Sequence, residues 1–119
     1  MEYKTVKNEE VKTWFPACPV DHFPSDGGLC INYGGLQIAV FNFERRGEWY
    51  ATQNLCPHKK QMILSRGMIG SEGEDAKVAC PFHKKTFSLK TGINLNGEEC
   101  SLATYPVKVE NGTVFVGFA

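Results

Sequence analysis

Long apolar runs are missing from this sequence. No stretch approaches the roughly 20 consecutive apolar residues that a membrane-spanning helix needs, and Met1-Glu2-Tyr3-Lys4 lacks the apolar core of a signal peptide. No membrane partner is therefore expected, and the expected compartment is the cytoplasm. Net charge is missing as well: 13 basic side chains balance 13 acidic ones, so no global field favours nucleic acid, and no block of like charge is long enough to form a tail. Helical periodicity of useful length, internal repeats, linkers and low-complexity segments are absent. So is a nucleotide-binding glycine motif after a strand. Histidine is scarce at three residues, and the five cysteines form an odd set. In a reducing compartment, that set implies thiols or metal ligands rather than a disulfide framework.

What is present reads as one domain over residues 1–119, large enough to bury a core of its own. Aromatic content of 12%, with 12 glycines and 6 prolines spread along the chain, favours many short strands and tight turns, an all-β fold. Residues 1–13 are polar and are expected to begin with an edge strand leading into Trp14-Phe15. Cys18 to Pro24 is bracketed by prolines and reads as a loop with at most one helical turn, with His22 on its surface. Gly34-Gly35 predicts a two-residue hairpin setting Tyr33 opposite Leu36, Ile31 opposite Ile38 and Leu29 opposite Val40. Arg45-Arg46-Gly47 makes the next turn. Asn111-Gly112 predicts a second hairpin, with Val109 opposite Val114 and Val107 opposite Val116, between strands at Tyr105 to Glu110 and Thr113 to Phe118.

Two strands, Trp49 to Gln53 and Lys77 to Ala79, run directly into the most informative residues, Cys56-Pro57-His58 and Cys80-Pro81-Phe82-His83. Two of the three histidines lie here, each within three residues of a cysteine, and each pair contains a proline that stiffens its loop. Two thiolates and two imidazoles exclude the hard ions calcium and magnesium and leave iron or zinc. Two facing loops would offer two sulfurs to one metal and two nitrogens to another, as in a mixed-ligand iron–sulfur cluster. The same four side chains could instead close one zinc tetrahedron, although zinc fingers usually group cysteines in one half and histidines in the other. Cys18, Cys30 and Cys100 are left as buried small hydrophobes. Around the two pairs, Lys59, Lys60, Arg66, Lys84, Lys85 and Lys90 make a basic rim with no acidic residue in residues 56–67 or 80–91, a candidate docking surface.

Cys56-x-His58, Leu64-Ser65-x-Gly67, Cys80-Pro81-x-His83, Phe87 and Thr91-Gly92 resemble the motif of Rieske proteins. More narrowly, Cys-Pro-His-Lys-Lys, Leu-Ser-Arg-Gly-Met-Ile and His-Lys-Lys-Thr-Phe-Ser-Leu-Lys-Thr-Gly look like the small subunit of assimilatory NAD(P)H-nitrite reductase. The resemblance implies a Rieske-type three-sheet β-sandwich or barrel with two cluster-binding loops at its tip. It implies a [2Fe-2S] cluster, with Cys56 and Cys80 on a buried iron and His58 and His83 on an outer one. It further implies a large partner subunit carrying FAD, siroheme and a [4Fe-4S] cluster, with which nitrite is reduced to ammonium. This chain would then be a subunit of an oxidoreductase and not a complete enzyme. Where many Rieske proteins have a glycine soon after each ligand histidine, this sequence has Lys59-Lys60 and Lys84. The cysteine pair that cross-links the loops of respiratory Rieske proteins is missing. Two other expectations differ in class: a Rieske ferredoxin feeding an aromatic-ring oxygenase, and a non-redox interaction subunit with an empty or zinc-filled site.

Overall fold

The computed structural model describes residues 2–57, 60–72, 75–81 and 85–119. Twelve strands are found among them: β1 (Thr13–Pro19), β2 (Gly27–Tyr33), β3 (Leu36–Phe43), β4 (Glu48–Gln53), β5 (Leu55–Cys56), β6 (Gln61–Met62), β7 (Met68–Glu72), β8 (Asp75–Ala79), β9 (Thr86–Ser88), β10 (Thr104–Tyr105), β11 (Val107–Glu110) and β12 (Thr113–Phe118). The fold is all-β, as expected. Three sheets carry it, in the orders β1-β12-β11, β10-β4-β3-β2 and β7-β8-β9, and the two-residue ribbon β5-β6 projects between them in sequence. All the pairings are antiparallel.

Both hairpins form in the register that the turn dipeptides predict. Tyr33 pairs with Leu36, Ile31 with Ile38 and Leu29 with Val40, and Val109 pairs with Val114 and Val107 with Val116. Gly34, Gly35, Asn111 and Gly112 all take positive φ, the requirement of a turn that matches strand twist. His22 is exposed and ends a single 3-10 turn, Val20–His22.

Three expectations need correction. Residues 2–12 hold no strand: Asn8–Glu10 is a 3-10 turn, and β1 begins only at Thr13 and runs through Pro16 to Pro19. β1 is an edge strand that pairs only with β12, and its register slips between Pro16 and Cys18. Proline is tolerated at such an edge and bulge because a missing N–H need not face a partner. The expected strand Tyr105 to Glu110 is two, split at Pro106 and shared between two sheets, β10 with β4 and β11 with β12. Finally, the three remaining cysteines are not fully buried: Cys18 and Cys100 are half-buried and Cys30 is exposed. Cys30 sits on β2, an edge strand of its sheet, and its thiol meets the polar side chains of Gln37 and Asn54.

The core is double. Ile31, Ile38, Val40, Ala51, Val114, Val116 and Phe118 pack in one apolar cluster. Ala39, Phe41, Phe43, Leu64, Val78, Phe87, Leu89 and Leu102 pack in another, with Cys56 and Cys80. β3 supplies both, because alternate residues of a strand face opposite ways: Ile38 and Val40 face the first cluster, while Ala39, Phe41 and Phe43 face the second.

Candidate metal centre

The two ligand loops are hairpin loops, each closed at its base by a backbone hydrogen bond. In the first, Cys56 ends β5, and β6 returns with Leu55 opposite Met62 and Cys56 opposite Gln61. The Lys60 N–H donates to the Cys56 carbonyl at 2.8 Å. Lys60 takes a positive φ of 55° to do so, a conformation that glycine adopts without strain and other residues rarely enter. This is where the resemblance to Rieske proteins leads to an expectation of glycine, and here Lys60 takes the left-handed conformation itself. In the second loop, Cys80 follows β8 directly, and its N–H donates to the Lys85 carbonyl at 2.8 Å just before β9.

Both cysteines are wholly buried, at 0% exposure, in the same cluster as Phe41, Leu64, Val78 and Phe87. The rest of the recognised pattern explains how. Leu64–Arg66 forms a 3-10 turn that buries Leu64. A Cβ on Gly67 would stand 2.5 Å from the Ala79 carbonyl and 2.8 Å from Val78 Cγ2, so only glycine lets this turn lie against the strand that delivers Cys80. Gly28 plays the matching part on β2, where a Cβ would meet the Ser65 carbonyl at 2.6 Å and the Phe41 ring at 2.8 Å. Gly92, at φ 79°, receives the Leu102 N–H on its carbonyl and donates to Ser88, closing the turn after β9.

Polar residues that sequence reasoning passed over hold the loop bases. Gln53, nearly buried, pairs reciprocally with Ala103: its N–H donates to the Ala103 carbonyl at 2.9 Å and its Oε1 accepts from the Ala103 N–H at 2.8 Å. Its Nε2 donates to the Leu55 carbonyl at 2.8 Å, bracing β5. Behind the second loop, Asn96 Oδ1 accepts from the Thr86 N–H at 2.8 Å, and buried Asn94 accepts from the Asn96 N–H at 2.7 Å. No local pattern announces these roles, since the Gln53–Ala103 and Asn96–Thr86 bonds join separate segments.

The basic rim divides. His58, Lys59, His83 and Lys84 lie outside the described residues. Lys60 and Arg66 are exposed, and the apolar side chains Met62 and Met68 beside them are also exposed. Lys85 is only partly available, with its Nζ 3.1 Å from Glu98 Oε1. Lys90 lines a cleft with Arg46, Glu48, Tyr50, Asp75 and Ala76, near the Asp75 end of β8.

Two buried soft sulfurs at the ends of adjacent hairpins, in a cluster whose other members are apolar, suit a thiophilic metal and not a hard ion. The two described sulfurs therefore suit the donor chemistry of an iron–sulfur centre. Comparison with known proteins gives the class. The chain belongs to the Rieske-like [2Fe-2S] domain family, whose profile matches residues 13–117. Within that class, it is 31% identical over 101 residues to the nitrite reductase (NADH) small subunit of Salmonella typhimurium, covering 85% of this chain and 94% of that one. It is 37% identical over 106 residues to the nitrite reductase [NAD(P)H] large subunit of Klebsiella oxytoca, covering 89% of this chain and 11% of that one. The chain thus spans about a tenth of the length of the first curated relatives it matches. A dioxygenase ferredoxin subunit of Shigella flexneri, for 3-phenylpropionate and cinnamic acid, is 40% identical over 101 residues, 84% of this chain and 89% of its own. Among solved structures, the nitrite reductase [NAD(P)H] small subunit from Erwinia carotovora superposes with a TM-score of 0.75 at 33% identity, covering 89% of this chain and 82% of that one. Among the described residues no helix is long and apolar enough to cross a membrane.

Proposed function

We propose that this chain is the small subunit of an assimilatory NAD(P)H-dependent nitrite reductase in the cytoplasm. Cys56, His58, Cys80 and His83 hold a Rieske [2Fe-2S] cluster, and a large subunit bearing FAD, siroheme and a [4Fe-4S] cluster reduces nitrite to ammonium. The observation that carries the reading is the pair of nitrite reductase matches. The same stretch recurs as nearly the whole of a chain described as a small subunit and as about a tenth of a longer chain described as a large subunit. A domain found both separate from and joined to a larger chain is one that works in contact with it.

A cluster of this kind supplies one-electron transfer, at a potential raised by replacing two thiolates with imidazoles. This chain's own part is to hold and orient. Cys56 and Cys80 anchor the buried side, Leu64, Phe41 and Phe87 keep water from it, and exposed Lys60 and Arg66 with Met62 and Met68 form a face for the partner. Iron, sulfide and zinc analysis with an EPR spectrum of the reduced protein tests the cofactor. About two irons and two sulfides per chain support it, and zinc without sulfide overturns it. Cys56→Ser is expected to abolish cluster loading and reductase turnover in the assembled complex. Full turnover in the Cys56→Ser, Cys80→Ser double variant would show a structural subunit instead.

The ferredoxin match, the highest identity of the relatives described, favours one other reading: electron delivery to an aromatic-ring oxygenase. Reduction of a purified oxygenase by this chain, without co-purification of a large nitrite reductase subunit, would establish it.

A further inference from the structure

The backbone and side-chain bonds beneath the first loop converge on one amide. Asn54, 2% exposed, stands two residues before Cys56, between β4 and β5. Its N–H donates to the Gln37 carbonyl on β3 at 2.9 Å, and its own carbonyl accepts from the N–H groups of Ile63 at 3.0 Å and Leu64 at 3.1 Å. Its side chain extends the same span: Oδ1 accepts from the Ser65 N–H at 2.7 Å, and Nδ2 donates to Gln37 Oε1 at 3.1 Å. Nδ2 also lies 3.5 Å from Cys30 Sγ. Asparagine presents an acceptor and a pair of donors on one short stem, so a single side chain ties the entry of the loop to its exit and both to the central strand. Gln37 is itself gripped from the outside: Tyr3 donates its hydroxyl to the Gln37 carbonyl at 2.9 Å and accepts from the Gln37 N–H at 3.2 Å.

We propose that Asn54 is a positioning residue that fixes the loop carrying Cys56 and His58, and so sets the redox properties of the cluster held there. The proposal rests on the cofactor reading above. Nearer its tip the loop is held by the two-residue ribbon β5-β6, the Gln53 bond to the Leu55 carbonyl and the Lys60 closure, and the clamp at its base adds the link to β3 that bears on how Cys56 meets a metal. Asn54 itself is buried while Ser65 and Gln37 are half-buried, so removing its side chain leaves the part-buried Ser65 N–H without this acceptor, which costs more than the bond contributes when made.

The test compares Asn54→Ala, Asn54→Asp and Asn54→Ser with the unaltered holoprotein and with Val116→Ala, a cavity variant in the other core cluster. Amide hydrogen exchange at Ser65 is expected to run about tenfold faster in Asn54→Ala, the effect of losing one hydrogen bond. It should return towards the original rate in Asn54→Asp, which keeps the acceptor. The EPR g values and midpoint potential should move in Asn54→Ala and stay in place in Val116→Ala, although both variants lose stability. Unchanged g values and potential in Asn54→Ala, or an equal shift in Val116→Ala, would overturn the proposal. Asn54→Ser, milder in volume, is read in the same way if the alanine variant does not fold. If the unaltered protein carries zinc or no metal, the cofactor reading fails and the redox half of the proposal with it. The exchange rates then decide separately whether Asn54 fixes the loop.

Discussion

Individual residues in this chain are constrained by close approach more than by chemistry, and glycine shows it most clearly. Gly67→Ala is expected to destabilise the protein by about 1–3 kcal/mol, because the new methyl group collides with the Ala79 carbonyl and Val78. Since Ala79 precedes Cys80, iron content should fall as well, and urea denaturation with iron analysis of the same samples would show both. Away from the loops, burial joined by the hydrogen bond to and the charge of Glu48 pushes the Tyr50 phenol from 10.0 up to about 12. A raised folded-state pKa favours the protonated fold. Its contribution is complete below pH 10 and is lost as pH rises towards 12. Tyr50→Phe should therefore flatten the decline of the urea midpoint across that window, while Tyr3 and Tyr105, also raised by burial, retain part of it. At this scale the sequence was partly legible. Cys56 and Cys80 stand out by type and spacing, and the structure buries both together, whereas Asn54 and Gln53 are ordinary polar residues until their partners at Gln37, Ser65 and Ala103 come within reach.

Elements were legible where the turn decides them. Gly34-Gly35 and Asn111-Gly112 predicted the register of two hairpins because positive φ at both turn residues leaves one way to pair the flanking strands. Elements decided by a distant neighbour were not. β1 tolerates its prolines only as an edge beside β12, and Pro106 divides β10 from β11 because their partners, β4 and β12, belong to different sheets. The element with the most at stake is β3, buried at every residue except half-buried Gln37. Ile38→Ala and Phe41→Ala should each destabilise the fold, by about 2–5 and 3–5 kcal/mol respectively. Only Phe41→Ala, which hollows the cluster around Cys56 and Cys80, should also weaken metal retention. Chemical denaturation and metal release to a chelator would separate the two effects.

For the whole molecule, neutrality leaves partner recognition to local charge. Association with a large reductase subunit should weaken with added salt, since exposed charges are screened beyond about 10 Å at 0.1 M. Arg66→Glu is expected to slow that association several-fold, whereas Lys90→Glu, beside Tyr50 and Asp75, should leave it unchanged. Binding kinetics at two salt concentrations would decide. The two cores have a consequence for melting. Because β3 forms one wall of each, neither half can come apart while its neighbour stays whole, and cooperativity is built into a single strand. Heating the loaded protein should therefore produce one transition, with visible absorbance bleaching at the temperature at which the β-sheet circular dichroism collapses.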